Sequence, residues 1–397
     1  MGLPLEGIRI TDLTQYQQGP YATLMLADMG AEVIKVEARD TGDPGRGIGP
    51  WGPKGTSAYF EAHNRHKKSI TVDARTDKGK EIIYRLVEKS DIFAQNFRPG
   101  VAERLGFGYD TLSRINPGII YLTGSAYGLE GPLAKEPGFD GVGQAVSGIL
   151  STILSPKGMV SPLIGTAVSD QSGAFVLAFG AMVALFHRER TGQGQEVDGS
   201  LLGGTIALVG WAMQSHLTSG REYQASRARI TSTGTASTHV AKDGKPLLIY
   251  ISGREKHAKA FKTLGLERLI GDPRFENGEK RMENQEALLA DFDEAVRTKS
   301  RDEWLGLFRE ADVVAAPVYK LSEAAAQDQA VVNEYIAEID HPKEGRMKVV
   351  GIPVKLHKTP GRLGIAPDLG QHTDEVLSEI AGYTLAEIAQ LREQKII

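Results

Sequence analysis

The run Ile8-Arg9-Ile10-Thr11-Asp12-Leu13, then Gln18-Gly19-Pro20, then Glu32-Val33-Ile34-Lys35-Val36-Glu37 decides the fold class. The first and last runs read as strands. The segment between them reads as a helix that Gln18-Gly19-Pro20 opens and Gly30 ends. Pro20 fits the first turn, because the N–H it lacks would have no intrahelical partner there. A strand–helix–strand unit makes the two strands parallel, so the chain starts as an α/β protein.

The same reading extends in both directions. Gly42 to Gly55 is a loop rich in Gly and Pro, Thr76 to Glu88 is helical, and Asp91–Asn96 and Ile119–Thr123 are further strands. A long apolar helix follows Asp170 and ends near Thr191-Gly192. Glu196-Val197-Asp198 is a short strand, and Leu201 to His216 is expected to be one helix crossing between lobes. Arg221 to Thr238 is polar and reads as a linker or flexible loop. Val240 to Ile251 resembles a hairpin turning at Lys242-Asp243-Gly244-Lys245. Helices are expected at Lys256–Gly265 and Asn284–Thr298, and from about Val331 the chain returns to the first lobe.

At 397 residues the chain has room for two domains, or for one large domain with an insertion. A net charge of −4 provides no global field for nucleic acid or an anionic membrane. Zero cysteines exclude disulfides and thiolate metal sites and fit a cytoplasmic enzyme. No signal peptide is visible at the N-terminus. The longest apolar run, Ala174 to Phe186, is expected to be too short for a bilayer and to form a buried helix. The histidines show no metal-ligand spacing, and Gly-x-Ser-x-Gly is absent.

Three features carry possible chemistry. Gln17-Gln18-Gly19-Pro20 lies at a strand-to-helix switch, where open α/β sheets bind ligands, although no Gly-x-Gly-x-x-Gly accompanies it. Basic residues cluster at Asn64–Ser69, Arg75, Asn96-Phe97-Arg98 and Arg104; each group is either a phosphate grip or a solvated face. Asp170 opens a helix, so it is either a cap or a nucleophile. Ser169 and Ser172 are alternative caps, and the helix dipole is expected to lower the Asp170 pKa.

Taken together, these segments resemble the class III coenzyme A transferases, the CaiB/BaiF family of formyl-CoA, carnitine-CoA and bile-acid CoA transferases. The resemblance rests on Pro4–Thr14 with Gly19-Pro20, Gly30–Glu37, Asn64–Ile70, Asn96–Gly100, Gly138-Phe139-Asp140 with Gln144-Ala145, Asp170, Arg188–Gln195 and Ala366–Thr373. It covers essentially the whole chain. It implies a Rossmann-like α/β large domain built from N- and C-terminal parts, a smaller α+β domain, and a ring-like monomer interlocked in a dimer. The implied divisions are 1–200 for the CoA-binding part, 201–225 for a linker helix and loop, 226–325 for the small domain, and 326–397 for the return.

By position, Asp170 matches the catalytic aspartate. Gln17, Gln18, Val72, Arg75, Asn96, Phe97, Arg98, Arg104, Phe139 and Asp140 match CoA-binding positions, and Arg39 and Lys135 are the nearest candidates for two more. Two departures stand out: Ala38 follows Glu37 where the family has arginine, with Arg39 one place later, and a lysine near Pro137 is missing, with Lys135 close by. The resemblance implies CoA transfer from an acyl-CoA, of the succinyl-CoA kind, to a small carboxylic acid through aspartyl anhydride and aspartyl-CoA intermediates. It implies no tightly bound cofactor, with acyl-CoA as substrate. A homodimer is expected, with a heterodimer as the alternative, and neither nucleic acid nor membrane is an expected partner. The rivals are an acyl-CoA racemase, which in this family places histidine where Phe139 stands, and a subunit of a heteromeric transferase.

Overall fold

The computed structural model describes residues 2–153, 162–223 and 225–397. Met1, 154–161 and Gln224, which fall within the expected N-terminal domain and linker, lie outside the described residues. The described chain divides into two compact units. One holds residues 2–152, 162–223 and Val331–Ile397, and the other holds Ile153 and 225–330.

Six strands organise the first unit: β1 (Arg9–Asp12), β2 (Glu32–Glu37), β3 (Lys68–Thr71), β4 (Ile92–Gln95), β5 (Ile120–Ser125) and β6 (Glu196–Ser200). They lie in the order β3-β2-β1-β4-β5-β6, and every neighbouring pair is parallel. The α/β start read from residues 8–37 is therefore what forms. Parallel neighbours need long crossovers. These contain α1 (Gln18–Asp28), α2 (Ala58–Asn64), α3 (Asp77–Glu88), α4 (Val101–Leu105), α5 (Tyr109–Ile115), α6 (Asp140–Val146) and α7 (Val168–Thr191).

Both faces of the sheet are covered, which is why its strands read as nearly continuous apolar runs. On one face Ile34, Ile70, Phe93 and Tyr121 pack with Ile82 and Leu86 of α3. On the other, Ile10, Val33, Ile92 and Leu122 pack with Leu26 of α1 and Ala181 and Leu185 of α7.

Helix α7 extends well beyond the apolar run. Its 24 residues are long and apolar enough, by length and composition, to cross a bilayer. The expectation of a buried helix is corrected in part, since half of that apolar stretch is buried. Ala174, Leu177, Ala181 and Ala184 face inward and are buried, whereas Phe175, Phe179 and Phe186 are exposed.

The expected helix at Leu201–His216 is two helices, α8 (Leu201–Leu208) and α9 (Gly210–Ser219), separated at Val209. Glycine, a poor helix former, stands at the start of the second. Helix α8 packs closely on α7, because a Cβ on Gly204 would lie 2.7 Å from the Gly173 nitrogen.

The second unit centres on an antiparallel sheet of β7 (Ala228–Ile230), β8 (Gly234–Val240), β9 (Pro246–Ser252) and β10 (Val314–Pro317), ordered β10-β9-β8-β7. Part of Arg221–Thr238 is thus strand rather than linker; Arg227 pairs with Asp293, which ties its polar sequence into the fold. The expected hairpin forms, with Gly244 at φ 75 in its turn. Helices α10 (Arg254–Thr263), α11 (Gly278–Glu283), α12 (Gln285–Val296) and α13 (Arg301–Glu310) accompany the sheet. Leu247, Ile249 and Ile251 pack there with Phe261, Phe292, Trp304 and Phe308.

After α14 (Leu321–Ala326) and α15 (Asp328–Val332), the return to the first unit comprises β11 (Ile336–His341), β12 (Gly345–Val350), α16 (Thr373–Glu379) and α17 (Leu385–Glu393). Val376, Leu377, Ile388 and Leu391 complete one face of the sheet core. The backbone of His372 donates to Ser69 at 2.9 Å, and Thr373 Oγ1 accepts from the Thr71 N–H at 3.2 Å. The Ala366–Thr373 segment therefore covers edge strand β3.

Candidate active site

The sheet changes direction at β1: β2 leaves it on one side and β4 on the other. The carboxyl ends of such strands form a crevice. A cavity of about 370 Å³ opens there, lined by the loop after β1 (Gln15–Gln18), the loop after β4 (Asn96–Pro99), the end of β5, Tyr59, Phe139 and Asp170. A second cavity, about 440 Å³, follows the ends of β2 and β3 and is lined by Arg39, Val72, Arg75 and Leu105. Gln15 and Phe97 border both cavities.

Asp170 is the third residue of α7. The residue before this helix, Ala167, has no side-chain cap, so the cap comes from elsewhere. Asp140 Oδ1 accepts from the N–H groups of Ser169 at 2.7 Å and Asp170 at 3.2 Å, and its Oδ2 accepts from Gln144 at 2.6 Å. Ser169 and Ser172 do not cap: Ser169 Oγ pairs with Thr205 Oγ1 at 2.8 Å, and Ser172 donates to the Ser169 carbonyl at 3.1 Å. Among the described residues the Asp170 carboxylate makes no hydrogen bond.

Burial, and then the nearby Asp140 charge, raise the Asp170 pKa to about 7. This reverses the expectation that the helix dipole would lower it. The amides that would stabilise the carboxylate are already taken by Asp140, while burial and a like charge both favour the neutral form.

The other candidates fall into four groups. Gln17 is buried and borders the first cavity, and its side-chain amide makes no hydrogen bond among the described residues. Arg98 is exposed at the rim, equally unpaired. Phe139 is exposed and meets Tyr16 edge-on at 5.9 Å.

Gln18 and Asn96 border the same cavity, but their amides serve the backbone. Gln18 donates to Gly199 at 3.1 Å and Ser125 at 3.4 Å. Asn96 both accepts from and donates to Gln15 at 2.8 Å.

Arg39 and Arg75 border the second cavity, paired with Asp40 at 2.6 Å and Asp73 at 2.9 Å. Arg39 Nε is buried without a partner. Arg104 and Lys135 are exposed and line neither cavity, and Asp140 is occupied with α7.

The Asn64–Ser69 cluster is neither a phosphate grip nor a solvated face. Arg65 holds Asp28 through two bonds of 2.8 and 2.6 Å, and Lys67 holds Asp12 at 3.0 Å; all four residues are buried.

Tyr59 escaped the sequence reading because α2 did. The available signal was Ser57, whose hydroxyl accepts from the Phe60 N–H and caps the helix. The Tyr59 hydroxyl makes no hydrogen bond among the described residues, and burial and then Asp170 push its pKa up. His63, whose Nδ1 lies 2.6 Å from the Tyr59 carbonyl, is pushed down to about 4 by burial and is neutral at pH 7.

Residues 5–373 match CoA-transferase family III. The chain is 33% identical to acetyl-CoA:oxalate CoA-transferase of Acetobacter aceti, over 95% of this chain and 96% of that one. It is 31% identical to succinyl-CoA–D-citramalate CoA-transferase of Chloroflexus aurantiacus (99% and 98% covered) and 32% identical to human succinyl-CoA:glutarate CoA-transferase (99% and 90%). A crystal structure of a CaiB/BaiF family protein from Brucella suis superposes with a TM-score of 0.85 at 28% identity, covering 96% of this chain and 100% of that one.

Proposed function

The chain belongs to CoA-transferase family III and is a transferase acting on CoA thioesters, and from that premise we propose that Asp170 is the nucleophile carrying CoA from an acyl-CoA to a free carboxylic acid. The observation that most supports this is the state of its carboxylate. It borders a cavity at the switch point of the sheet, on the first turn of a helix, with its oxygens free because Asp140 supplies the cap.

The proposed sequence has four steps. An Asp170 oxygen attacks the thioester carbonyl, the C–S bond breaks, and CoA leaves as thiolate from a mixed anhydride. The thiolate attacks the aspartyl carbonyl, releasing the donor acid with one Asp170 oxygen and leaving an aspartyl-CoA thioester. The acceptor carboxylate attacks that thioester and expels the thiolate again. The thiolate then attacks the acceptor carbonyl of the second anhydride, forming the new acyl-CoA and returning Asp170 with one acceptor oxygen. Each tetrahedral species needs N–H or O–H donors. The Gln18 and Gly19 amides, which open α1 without intrahelical partners, the Gln17 side chain and the Tyr59 hydroxyl are the proposed set.

The second cavity is the proposed path for the rest of CoA, with Phe97 between the cavities and Arg39, Val72 and Arg75 toward the nucleotide. Binding energy gathered there holds the thioester in place. The acids named for the three relatives, oxalate, D-citramalate and glutarate, each carry two carboxylates. Arg98, which has no side-chain partner among the described residues, suits the second one, so a dicarboxylate acceptor and a succinyl-CoA-like donor are proposed. Exposed Phe175, Phe179 and Phe186 on α7 support a second copy as partner in an interlocked dimer, and the absence of cysteine supports a cytoplasmic setting.

The test is a matrix of acyl-CoA donors against free acids, read by mass spectrometry. The expected result is acceptor-CoA formed mole for mole with donor acid, abolished in folded Asp170→Ala. Full transfer by that variant would overturn the role of Asp170.

A further inference from the structure

The loop from β1 to α1 is held chiefly by side chains. Asp12 Oδ1 accepts from the Thr14 N–H at 2.9 Å, and Lys35 Nζ donates to the Thr14 carbonyl at 2.9 Å. Asn96 brackets Gln15, accepting from its N–H and donating to its carbonyl. Asp43 Oδ1 accepts from the Tyr16 N–H at 3.1 Å and the Gly45 N–H at 2.8 Å, and its Oδ2 pairs with Lys35 Nζ at 2.7 Å. Both backbone polar groups of Thr14 and of Gln15, and the N–H of Tyr16, are thus bound by side chains from β1, β2, the loop after β2 and the loop after β4.

Two features make this more than packing. Tyr16 has φ 63, in the left-handed region that a residue with a Cβ rarely adopts. Such a conformation persists only where its surroundings over-determine it, and it clusters at functional sites. In addition, Lys35 and Asp43 are buried together. A buried ion pair is costly to desolvate and is often replaceable by apolar residues without loss of stability. Stability alone therefore gives little reason for its presence here.

The backbone held this way leads directly into Gln17 and Gln18, which border the cavity containing Asp170, and on to the Gly19 amide in the first turn of α1. We infer that Lys35 and Asp43 are positioning residues: together they lock residue 16 left-handed, so that the donors at Gln17, Gln18 and Gly19 stay aimed at the oxyanions of transfer. The inference rests on the transferase reading and adds what keeps its oxyanion site rigid.

The test is the paired variant Lys35→Met/Asp43→Ala, which removes both charges together so that neither is left buried alone. The expected result is a folded protein whose kcat falls about 10²-fold, the scale of a misaimed or lost oxyanion donor. KM for the acyl-CoA is expected to stay within about threefold, because ground-state binding is untouched. Amide hydrogen exchange across residues 14–18 is expected to quicken at least about tenfold as the opening free energy drops. A folded paired variant with wild-type kcat, or with unchanged exchange across residues 14–18, would overturn the inference. A wild-type chain without transfer activity would count against the transferase reading instead, and the exchange measurement would still decide the clamp.

Discussion

As the proposed nucleophile, Asp170 is expected to set the pH dependence. With its pKa raised to about 7 by burial and by Asp140, its carboxyl group is about half ionised at neutral pH. The expected kcat/KM profile climbs with pH through about 7 and then levels; a climb centred near 4 would contradict the assignment. The same shift has a stability consequence. A carboxyl group that holds its proton more tightly folded than unfolded stabilises the fold below its unfolded value of 3.8, and that contribution is lost as pH rises through about 7. Asp170→Asn is therefore expected to raise the unfolding free energy at pH 8 and to leave it near wild type at pH 3. The gain is at most about 4 kcal/mol, and less because the group is partly exposed. The position of this residue was legible from sequence. The sign of its pKa shift was not, because it depends on Asp140, thirty residues earlier, satisfying the amides that a local reading assigns to Asp170 itself.

At the scale of elements, α7 carries the proposed nucleophile and is capped by a different helix. Asp140→Asn keeps an acceptor oxygen for the Ser169 N–H while removing the like charge. It is expected to move the rise in kcat/KM to lower pH with the fold intact, read from the same profile. A profile that does not move would mean that Asp140 contributes nothing to the shift. Elements with strong local signals were readable: β1, β2 and α3 carry their own caps and periodicity, as Thr76 before α3 does. Strand β3 and helix α2 were not. The basic residues Arg65, Lys67 and Lys68, at and just before the start of β3, look like surface chemistry, and only the fold supplies Asp28, Asp12 and Glu32 as partners. Strand β7 was hidden for a related reason, since Arg227 beside it pairs with Asp293, far along the chain.

For the molecule as a whole, order along the chain carried most of the functional information. No single segment specified a CoA transferase; the succession of short motifs did, and Ala366–Thr373 proved to cover the edge of the sheet that begins at residue 9. Association was less legible, since periodicity marks α7 as apolar without saying which of its faces meets solvent. Phe179 is 72% exposed, which supports the proposed second copy over this face. Phe179→Glu is expected to convert the proposed dimer to monomer in light scattering, and an unchanged wild-type mass would place the interface elsewhere.

The central claim, that Asp170 exchanges its own oxygen with both acids, is tested most directly by turnover with an acceptor acid labelled with ¹⁸O in its carboxylate. Mass spectrometry of the peptide containing Asp170 and of the released donor acid is expected to find label in both, and none taken from solvent. An unlabelled Asp170 peptide, with water oxygen entering the acids as free CoA accumulates, would mean hydrolysis and would contradict the account.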